Sequence, residues 1–540
     1  MNLSLPVRLS DDLRSRVSGA VSYFRNPQVL YPLTIATPIA LLTLYLFLTL
    51  GKYSLWLDEA WVANSILRNE PLNADSLNST PLGFYLLVKV SSLLFGSSEF
   101  GFRLPALGFF ILTIPAIAVL AREVYGRGTG GLAAVLFTTN FVVINYAQEV
   151  KPYSADMFFA VVIPLVALQL DSRPAPWRWA VYTTIVVTAP LFSFTSLVVS
   201  AAAAVFLLVQ SVRSAKRRHQ LTAWFVVHAV ATLLVTPYVW FLFRSQRSNS
   251  LLDYWSQGFP PTSNPASMGL WAGQEVWRLL VWFFWGDAEG IFLLLVYAFL
   301  CVGLLALIIR KPTAVILFLG PGALLLMSAL LHVYPFQGWL GGRLLVCILS
   351  SCLVVVAGGL VSAPVRQRLP VRVWMAYRVG ATVVVILFAA RGLFQLWSNE
   401  ELPGLVREEV RPLINSVLTP QIQHGDSIYV YYPGVHAFEF YAPTYRAAVR
   451  PAWGNYTVAN REGVQIVYGG EHLDDRSEYG REVERLVDLP STGRLWILVT
   501  HVIGDEDVAL TRPIFERGLV ARVWQERGAA LYLVNHSSGI

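Results

Sequence analysis

Apolar residues in this chain come in long runs, not at the 3.6 or 2 residue period of half-buried helices and strands. The stretch from Leu30 to Leu50 is close to unbroken hydrocarbon, and similar stretches recur. An apolar run of about 20 residues crosses roughly 30 Å of bilayer as a helix. The pattern predicts spans over 29–50, 103–121, 130–147, 152–170, 180–191, 194–210, 221–243, 290–309, 313–332, 343–363 and 374–396. Residues 180–210 are continuously apolar, but basic clusters flank them on both sides, so they must cross an even number of times. We place the break at "APLFSFT" (189–195). The two short halves call for tilt or local thinning of the bilayer.

From about Ser398 the hydropathy falls and the charge rises. In this tail "DSIYVYY" (426–432), "RLWILVT" (494–500) and "ALYLV" (530–534) read as strands, and "REVERLVDL" (481–489) as a helix. The expected architecture is a polytopic α-helical membrane protein of about eleven transmembrane helices with a C-terminal soluble α/β domain. Its expected parts are a cytoplasmic segment 1–28, a membrane domain 29–397 with a long loop 52–102, and the tail domain 398–540.

Composition agrees: 55% of residues are hydrophobic and 14% charged, with a mean hydropathy of +0.53. Most of such a chain is solvated by lipid. The net charge of +7 reads as orientation charge, with no nucleic-acid partner implied. Arg8, Arg14, Arg16 and Arg25 precede the first span. Arg122 and Arg127, Arg173 and Arg178, then Arg213, Lys216, Arg217 and Arg218 mark later turns, followed by Arg310 and Lys311, and by Arg366, Arg368, Arg372 and Arg378. The positive-inside rule places these, and the N-terminus, in the cytoplasm. Segments 52–102, 148–153, 244–289 and 332–343 and the tail domain then face outward, as expected for a bacterial inner membrane. The first run is too long for a cleavable signal and reads as an anchor. Cys301, Cys347 and Cys352 lie in apolar runs and imply no disulfide framework.

The candidate chemistry sits on the outward side. "SLWLDEAWVANSIL" (54–67) places Asp58 and Glu59 about eight residues past the hydrocarbon edge, between Trp56 and Trp61. A carboxylate at that depth can have a raised pKa and accept a proton from a hydroxyl. It also reads as an ordinary N-cap for the helix that follows. "NYAQEVKPYSADMF" (145–158) carries Glu149, Lys151, Tyr146 and Tyr153 in a turn between spans. Lys151 reads either as a snorkelling cation paired with Glu149 or as a site for an anion at the membrane surface. Arg103 ("FGFRLPAL") and Arg343 ("GWLGGRLLV") each begin a span on that side, as helix anchors or as two-pronged phosphate grips. "NSTPLGFYLL" (78–87) starts either an interfacial helix or a hairpin within the loop. There is no phosphate-cradling Gly-rich loop, no HExxH pair and no Cys/His cluster with ligand spacing, so nucleotide-driven coupling has no support. "NST" (78–80), "NYT" (455–457) and "NHS" (535–537) match glycosylation sequons and read as chance in a bacterial chain.

Taken together, "LDEAW", "TPLGFYLLVKVSSLLFGSSEFGFRLPAL", "QEVKPYS" and "GGRLLV" resemble the GT-C superfamily of polyprenyl-phosphate-sugar glycosyltransferases. Within it the chain is similar to bacterial relatives of protein O-mannosyltransferases and of the lipid A aminoarabinose transferase. The resemblance covers residues 30–400 and is strongest over 54–160. It implies sugar transfer from a polyprenyl-phosphate donor to an acceptor hydroxyl, with inversion, on the outward face. It implies Asp58 as general base with Glu59 in support. Lys151, Arg343 and Arg103 are implied for the lipid phosphate, and Glu149 and Tyr153 for the sugar. The acceptor (protein, lipid or glycan) stays open, as does a divalent metal ion, which serves some members of the superfamily. Where the aminoarabinose transferases carry Glu-Lys-Pro-Pro this chain has "NSTPLG", which puts that substrate in doubt. A lipid-linked glycan polymerase or ligase would show a richer Arg/His outer loop than 244–289, with its Arg244, Arg247 and Arg278. A transporter would carry mid-membrane charge beyond Asp156 and His228. A non-catalytic scaffold for the tail domain is a further alternative.

Overall fold

The computed structural model describes residues 27–213, 218, 220–246, 255–261, 264–284, 290–361, 370–398, 408–449, 451–472, 475–488, 494–502 and 504–535. The N-terminal arginines 8, 14, 16 and 25, and Lys216, Arg217, Arg247, Arg366 and Arg368, lie outside the described residues.

The membrane part is a helical bundle. Helix α1 (Pro27–Thr49) leads to α2 (Leu57–Leu67), α3 (Leu82–Phe95) and the long α4 (Glu99–Tyr125). Then come α5 (Thr129–Thr138), α6 (Phe141–Tyr146), α7 (Tyr153–Ser172), α8 (Pro176–Thr188), α9 (Ser196–Arg213) and α10 (Gln220–Gln246). Helices α11 (Pro265–Phe284), α12 (Ile291–Arg310), α13 (Val315–Leu330), α14 (Val346–Val361) and α15 (Val371–Ser398) complete it. Among the described residues, eight helices are long and apolar enough to cross a membrane: Glu99–Tyr125, Tyr153–Ser172, Ser196–Arg213, Gln220–Phe241, Ile291–Arg310, Pro312–Leu330, Gly341–Val361 and Val371–Phe394.

Three expected spans take a shorter form. The first is apolar and described in its side chains over Ala36–Thr49. The 130–147 span is two helices, not one, because Asn140 caps α6: its side-chain oxygen accepts from Val143 N at 3.1 Å. The 180–210 run breaks where the reading placed it, with α8 ending in a 3-10 turn at Ala189–Leu191 and α9 starting at Ser196. Segment 78–94 yields α3, whose Leu86, Leu93, Leu94 and Phe95 are exposed, an apolar face suited to an interface. Helices α12 and α14 meet backbone to backbone: a Cβ on Gly303 or Gly359 would come within 1.9 Å of a carbonyl oxygen of the other helix.

The C-terminal part is a six-stranded sheet in the order β2-β3-β1-β4-β6-β5. Its strands are β1 (Ser427–Val430), β2 (Thr457–Arg461), β3 (Val464–Tyr468), β4 (Leu495–Thr500), β5 (Val520–Glu526) and β6 (Ala529–Val534). β1 runs parallel to both β3 and β4, and the edges are antiparallel. Side chains alternate as a pleat requires. Ile428, Val430, Trp496 and Leu498 join the core continuous with the bundle. Tyr429, Tyr431, Leu495, Ile497 and Val499 pack with Tyr479, Val483, Leu510 and Ile514 of α17 (Ser477–Asp488) and α18 (Glu506–Glu516). The short α16 (Val435–Tyr441) follows β1 and lies against α2. The sheet is thus covered on both faces, which explains why its central strands read as unbroken apolar runs.

Candidate active site

The site forms where the first turn of α2 meets the turn between α6 and α7. Trp56 occupies the N-cap position, so Asp58 and Glu59 both fall inside the first turn of α2. Asp58 is therefore not the cap. Glu59 takes part in that role instead, its Oε2 accepting from Trp56 N at 3.4 Å.

The two carboxylates have separate partners. Glu59 is buried and receives Arg103 Nε at 2.8 Å, Arg103 Nη2 at 2.6 Å and Val150 N at 2.8 Å. It therefore ties α2, α4 and the 147–152 turn together. Arg103 spends its other N–H groups on the carbonyls of Leu50, Tyr53 and Ser54. All five donors of that guanidinium are engaged inside the protein. Arg103 is thus not available to a phosphate, and its geometry is that of a structural strut.

Asp58 is about one-fifth exposed, and its Oδ2 lies 3.7 Å from Lys151 Nζ. Its Oδ1 accepts from the Asn78 amide at 3.2 Å. Lys151 is buried and donates to the Asn78 carbonyl at 2.9 Å. The lysine thus pairs with Asp58 across the site, not with its near neighbour Glu149. Asn78, which sequence reasoning had passed over, bridges the two. It does so from left-handed backbone, with φ +42° at Asn78 and +57° at Ser79, a conformation costly for residues other than glycine and concentrated at functional sites. The only sequence signal was an Asn in a Pro-bounded turn, and that signal fits any loop.

The turn that presents Lys151 is set locally. Lys151 N bonds Glu149 O at 2.8 Å, Pro152 stands just before α7, and Ser154 Oγ bonds back to Tyr146 O at 2.8 Å. Tyr153 packs its ring on Tyr146 with centroids 4.5 Å apart. Among the described residues, the buried Tyr146 hydroxyl has no hydrogen-bond partner. Arg343 lies in a 3-10 turn, Leu340–Leu345, just before α14. Its guanidinium sits 5.7 Å from the Trp56 ring and 5.5 Å from Trp255.

Charges across this cluster set the protonation states. Burial works to raise Asp58, but Lys151, then Arg343 and the Asn78 amide, outweigh it and hold it below the ordinary carboxylate value. The raised value expected from depth alone is not found, because two cations share the site. Burial lowers Lys151, with Asp58 opposing and Arg343 adding to the fall. Glu149 goes the other way: burial and then the Glu59 charge push it up to about 8, against the pull of Arg343. Neighbouring carboxylates with opposite shifts are a mark of divided acid and base roles.

The tail domain closes the far side. Glu408 accepts from Leu57 N at 3.2 Å and pairs with His501, whose ring stacks on Trp56. Glu409 accepts from Ser54 N and Oγ at 3.2 and 2.9 Å. Arg411 reaches Glu99 at 2.8 Å, and Arg68, at the other end of α2, reaches Glu439 at 2.7 Å. Sequence alone gave no signal for these contacts, which span more than 300 residues.

Among the described residues, no group of three or more His, Cys, Asp and Glu side chains is arranged to hold a metal ion. The donor set at Asp58 does not fit a divalent ion either. Lys151 and Arg343 already supply the positive charge there, and Glu59 is saturated by Arg103.

Residues 79–241 match the family described as dolichyl-phosphate-mannose-protein mannosyltransferase. No curated protein matches the chain. Among solved structures, apo ArnT from Cupriavidus metallidurans superposes with a TM-score of 0.51 at 12% identity, covering 94% of this chain and 98% of that one. Two others score lower. AglB from Archaeoglobus fulgidus, in complex with an inhibitory peptide and a dolichol-phosphate, gives 0.46 at 13% identity, over 78% of this chain and 64% of that one. The mycobacterial arabinofuranosyltransferase AftD gives 0.41 at 14% identity, over 94% and 42%. The architecture is thus the ArnT-like fold that the sequence resemblance implied.

Proposed function

For a GT-C-type membrane chain related to the mannosyltransferases and to ArnT, we propose transfer of a sugar from a polyprenyl-phosphate donor to an acceptor hydroxyl, with inversion at the anomeric carbon. One observation carries this reading: a carboxylate held ionised beside two cations, Lys151 and Arg343, at the end of a membrane bundle. The lipid carrier keeps its tail in the bilayer and presents its sugar at the interface, where these groups stand.

Asp58 takes the acceptor proton as the acceptor oxygen attacks the anomeric carbon. The bond from that carbon to the phosphate oxygen breaks, and the lipid phosphate leaves with the electron pair. Lys151 and Arg343 stabilise the charge that develops on it. The buried Tyr146 hydroxyl, unpartnered among the described residues, is a further donor for phosphate oxygens. Glu149, protonated near neutral pH, donates a hydrogen bond to donor oxygens, and Tyr153 walls the sugar. Glu59 and Arg103 act through the others by fixing α2 against the lysine turn. The donor is already activated, so the reaction needs no nucleotide.

Charge distribution supports an extracytoplasmic site. Arg310 and Lys311 bond to Tyr125 O and Glu123 O, so the basic turns after α4 and α12 share one end of the bundle. The site lies at the start of α4, about 27 residues of helix away. The positive-inside rule puts that basic end in the cytoplasm.

The test is radiolabel transfer in proteoliposomes from defined polyprenyl-phosphate sugars, with NMR of the product's anomeric configuration. Asp58→Asn is expected to cut transfer by about 10²–10⁴, the usual worth of a positioned general base. Full transfer by that variant, or a retained configuration, contradicts the reading.

A further inference from the structure

A second site follows from the tail domain's topology. β1 lies between β3 and β4 and is parallel to both. The chain leaves β1 towards β3 on one side and later reaches β4 on the other. In such sheets the loops at the carboxyl ends of the strands part at this switch point and leave a crevice for a ligand. A small pocket opens there, and its lining includes Tyr432 after β1, Gly469 after β3, and His436, Trp453 and Asn455.

Three aromatic rings, those of Tyr432, His436 and Trp453, line it, and a fourth, from the membrane part, packs against two of them. Trp61 of α2 lies over His436 with centroids 4.3 Å apart, and Trp453 lies 5.5 Å from Trp61 and 6.0 Å from His436, all within 30° of parallel. Asn64 fixes this junction by donating to His436 O at 2.8 Å. The loop "AWGNY" (452–456) leaves Trp453 38% and Tyr456 49% exposed. That loop is held rigidly. Gly454 has φ +71°, its carbonyl accepts from Glu471 N at 2.9 Å, and a Cβ there would meet the Glu471 side chain at 2.9 Å. The Trp453 side chain is itself hydrogen-bonded to Glu471. A partly exposed tryptophan on a fixed loop, beside an amide, matches a ligand with an apolar face and a polar rim. A sugar ring is such a ligand, with C–H bonds on its face and hydroxyls around its edge.

We propose that this crevice binds a neutral saccharide ring of a glycan chain against Trp453, which Trp61 backs from the membrane part. Trp61 is three residues beyond Asp58 on α2, so the two side chains neighbour each other on one helix face, about 4.5 Å apart along the axis. A glycan seated there extends its next hydroxyl towards Asp58. That it is the acceptor rests on the transferase reading above; that it binds does not.

The test is calorimetric titration of the full chain in detergent with neutral hexasaccharides of mannose, arabinose and glucose, and with a short Ser/Thr-rich peptide. At least one hexasaccharide is expected to bind. Trp453→Ala is expected to weaken it at least tenfold, Trp453→Phe to restore most of the loss, and Asp58→Asn to change it less than twofold. An unshifted melting temperature in Trp453→Ala excludes misfolding as the cause. Binding of none of the hexasaccharides, equal binding by Trp453→Ala, or saturation by the peptide alone overturns the proposal. Saccharide binding that Trp453 controls, in a chain that transfers no sugar, keeps the site and removes only the acceptor role.

Discussion

At Asp58 a residue that depth alone would neutralise stays charged, because Lys151 and Arg343 outweigh its burial. Glu149, two residues before Lys151, is carried to about 8 because burial and Glu59 prevail there. The sign of each shift sets a pH limb. Asp58 acts ionised, and its pKa is lowered, so transfer falls only as pH drops below the ordinary carboxylate range. Glu149 acts protonated, so transfer falls as pH rises through about 8. Glu149→Gln keeps a neutral donor and is expected to retain transfer while removing the fall near 8, leaving the alkaline limb to Lys151, whose pKa burial lowers; a pH–rate profile checks this. Asn78 is the second test at this scale. Asn78→Gly keeps the left-handed backbone and loses only the amide, whereas Asn78→Ala adds about 1 kcal/mol of strain. Both are expected to slow transfer, with Ala the less stable by thermal unfolding. Asp58, Glu59 and Lys151 stood out in the sequence as candidates because charge beside hydrocarbon is rare. Their pairing was not, since it depends on a loop asparagine some 73 positions from the lysine.

At the scale of elements, α2 is held by α4, by the 147–152 turn and by the tail domain, and Glu59 joins the first two. Glu59→Gln removes one charge of a buried pair and leaves Arg103 uncompensated, a loss of about 3–5 kcal/mol where an ion pair is fully enclosed. The expected outcome is a large fall in thermal stability in detergent, with Arg103→Lys only a partial substitute because it has three donors in place of five. A melting temperature within a degree or two of the native chain would show that the pair does not brace the site. Eight of the expected spans were readable from hydropathy, as was the break within 189–195, where flanking basic clusters forced an even number of crossings. The division at Asn140 was not, because a single capping amide inside an apolar run leaves hydropathy unchanged. In the tail, β1, β4, β6 and α17 were visible. β2, β3 and β5 were missed: β2 and β5 are exposed edge strands without the apolar runs of the centre, and β3, though buried, is five residues long and interrupted by Gln465.

For the whole molecule, a membrane bundle and a sheet domain meet over one short helix. Glu408, Glu409, Arg411 and Glu439 of the tail reach its two ends and the segments beside it. Sequence showed that both parts exist and left the tail's role open; only the contacts show that it braces α2 and stacks His436 and Trp453 on Trp61. The account turns on Asp58 and Lys151 acting as one unit, and a double-mutant cycle on sugar transfer measures that directly. Groups that act together are non-additive when removed together. Asp58→Asn with Lys151→Ala is therefore expected to transfer no more slowly than the worse single variant. Losses that multiply, or transfer within twofold of the native rate in either single variant, would contradict the account.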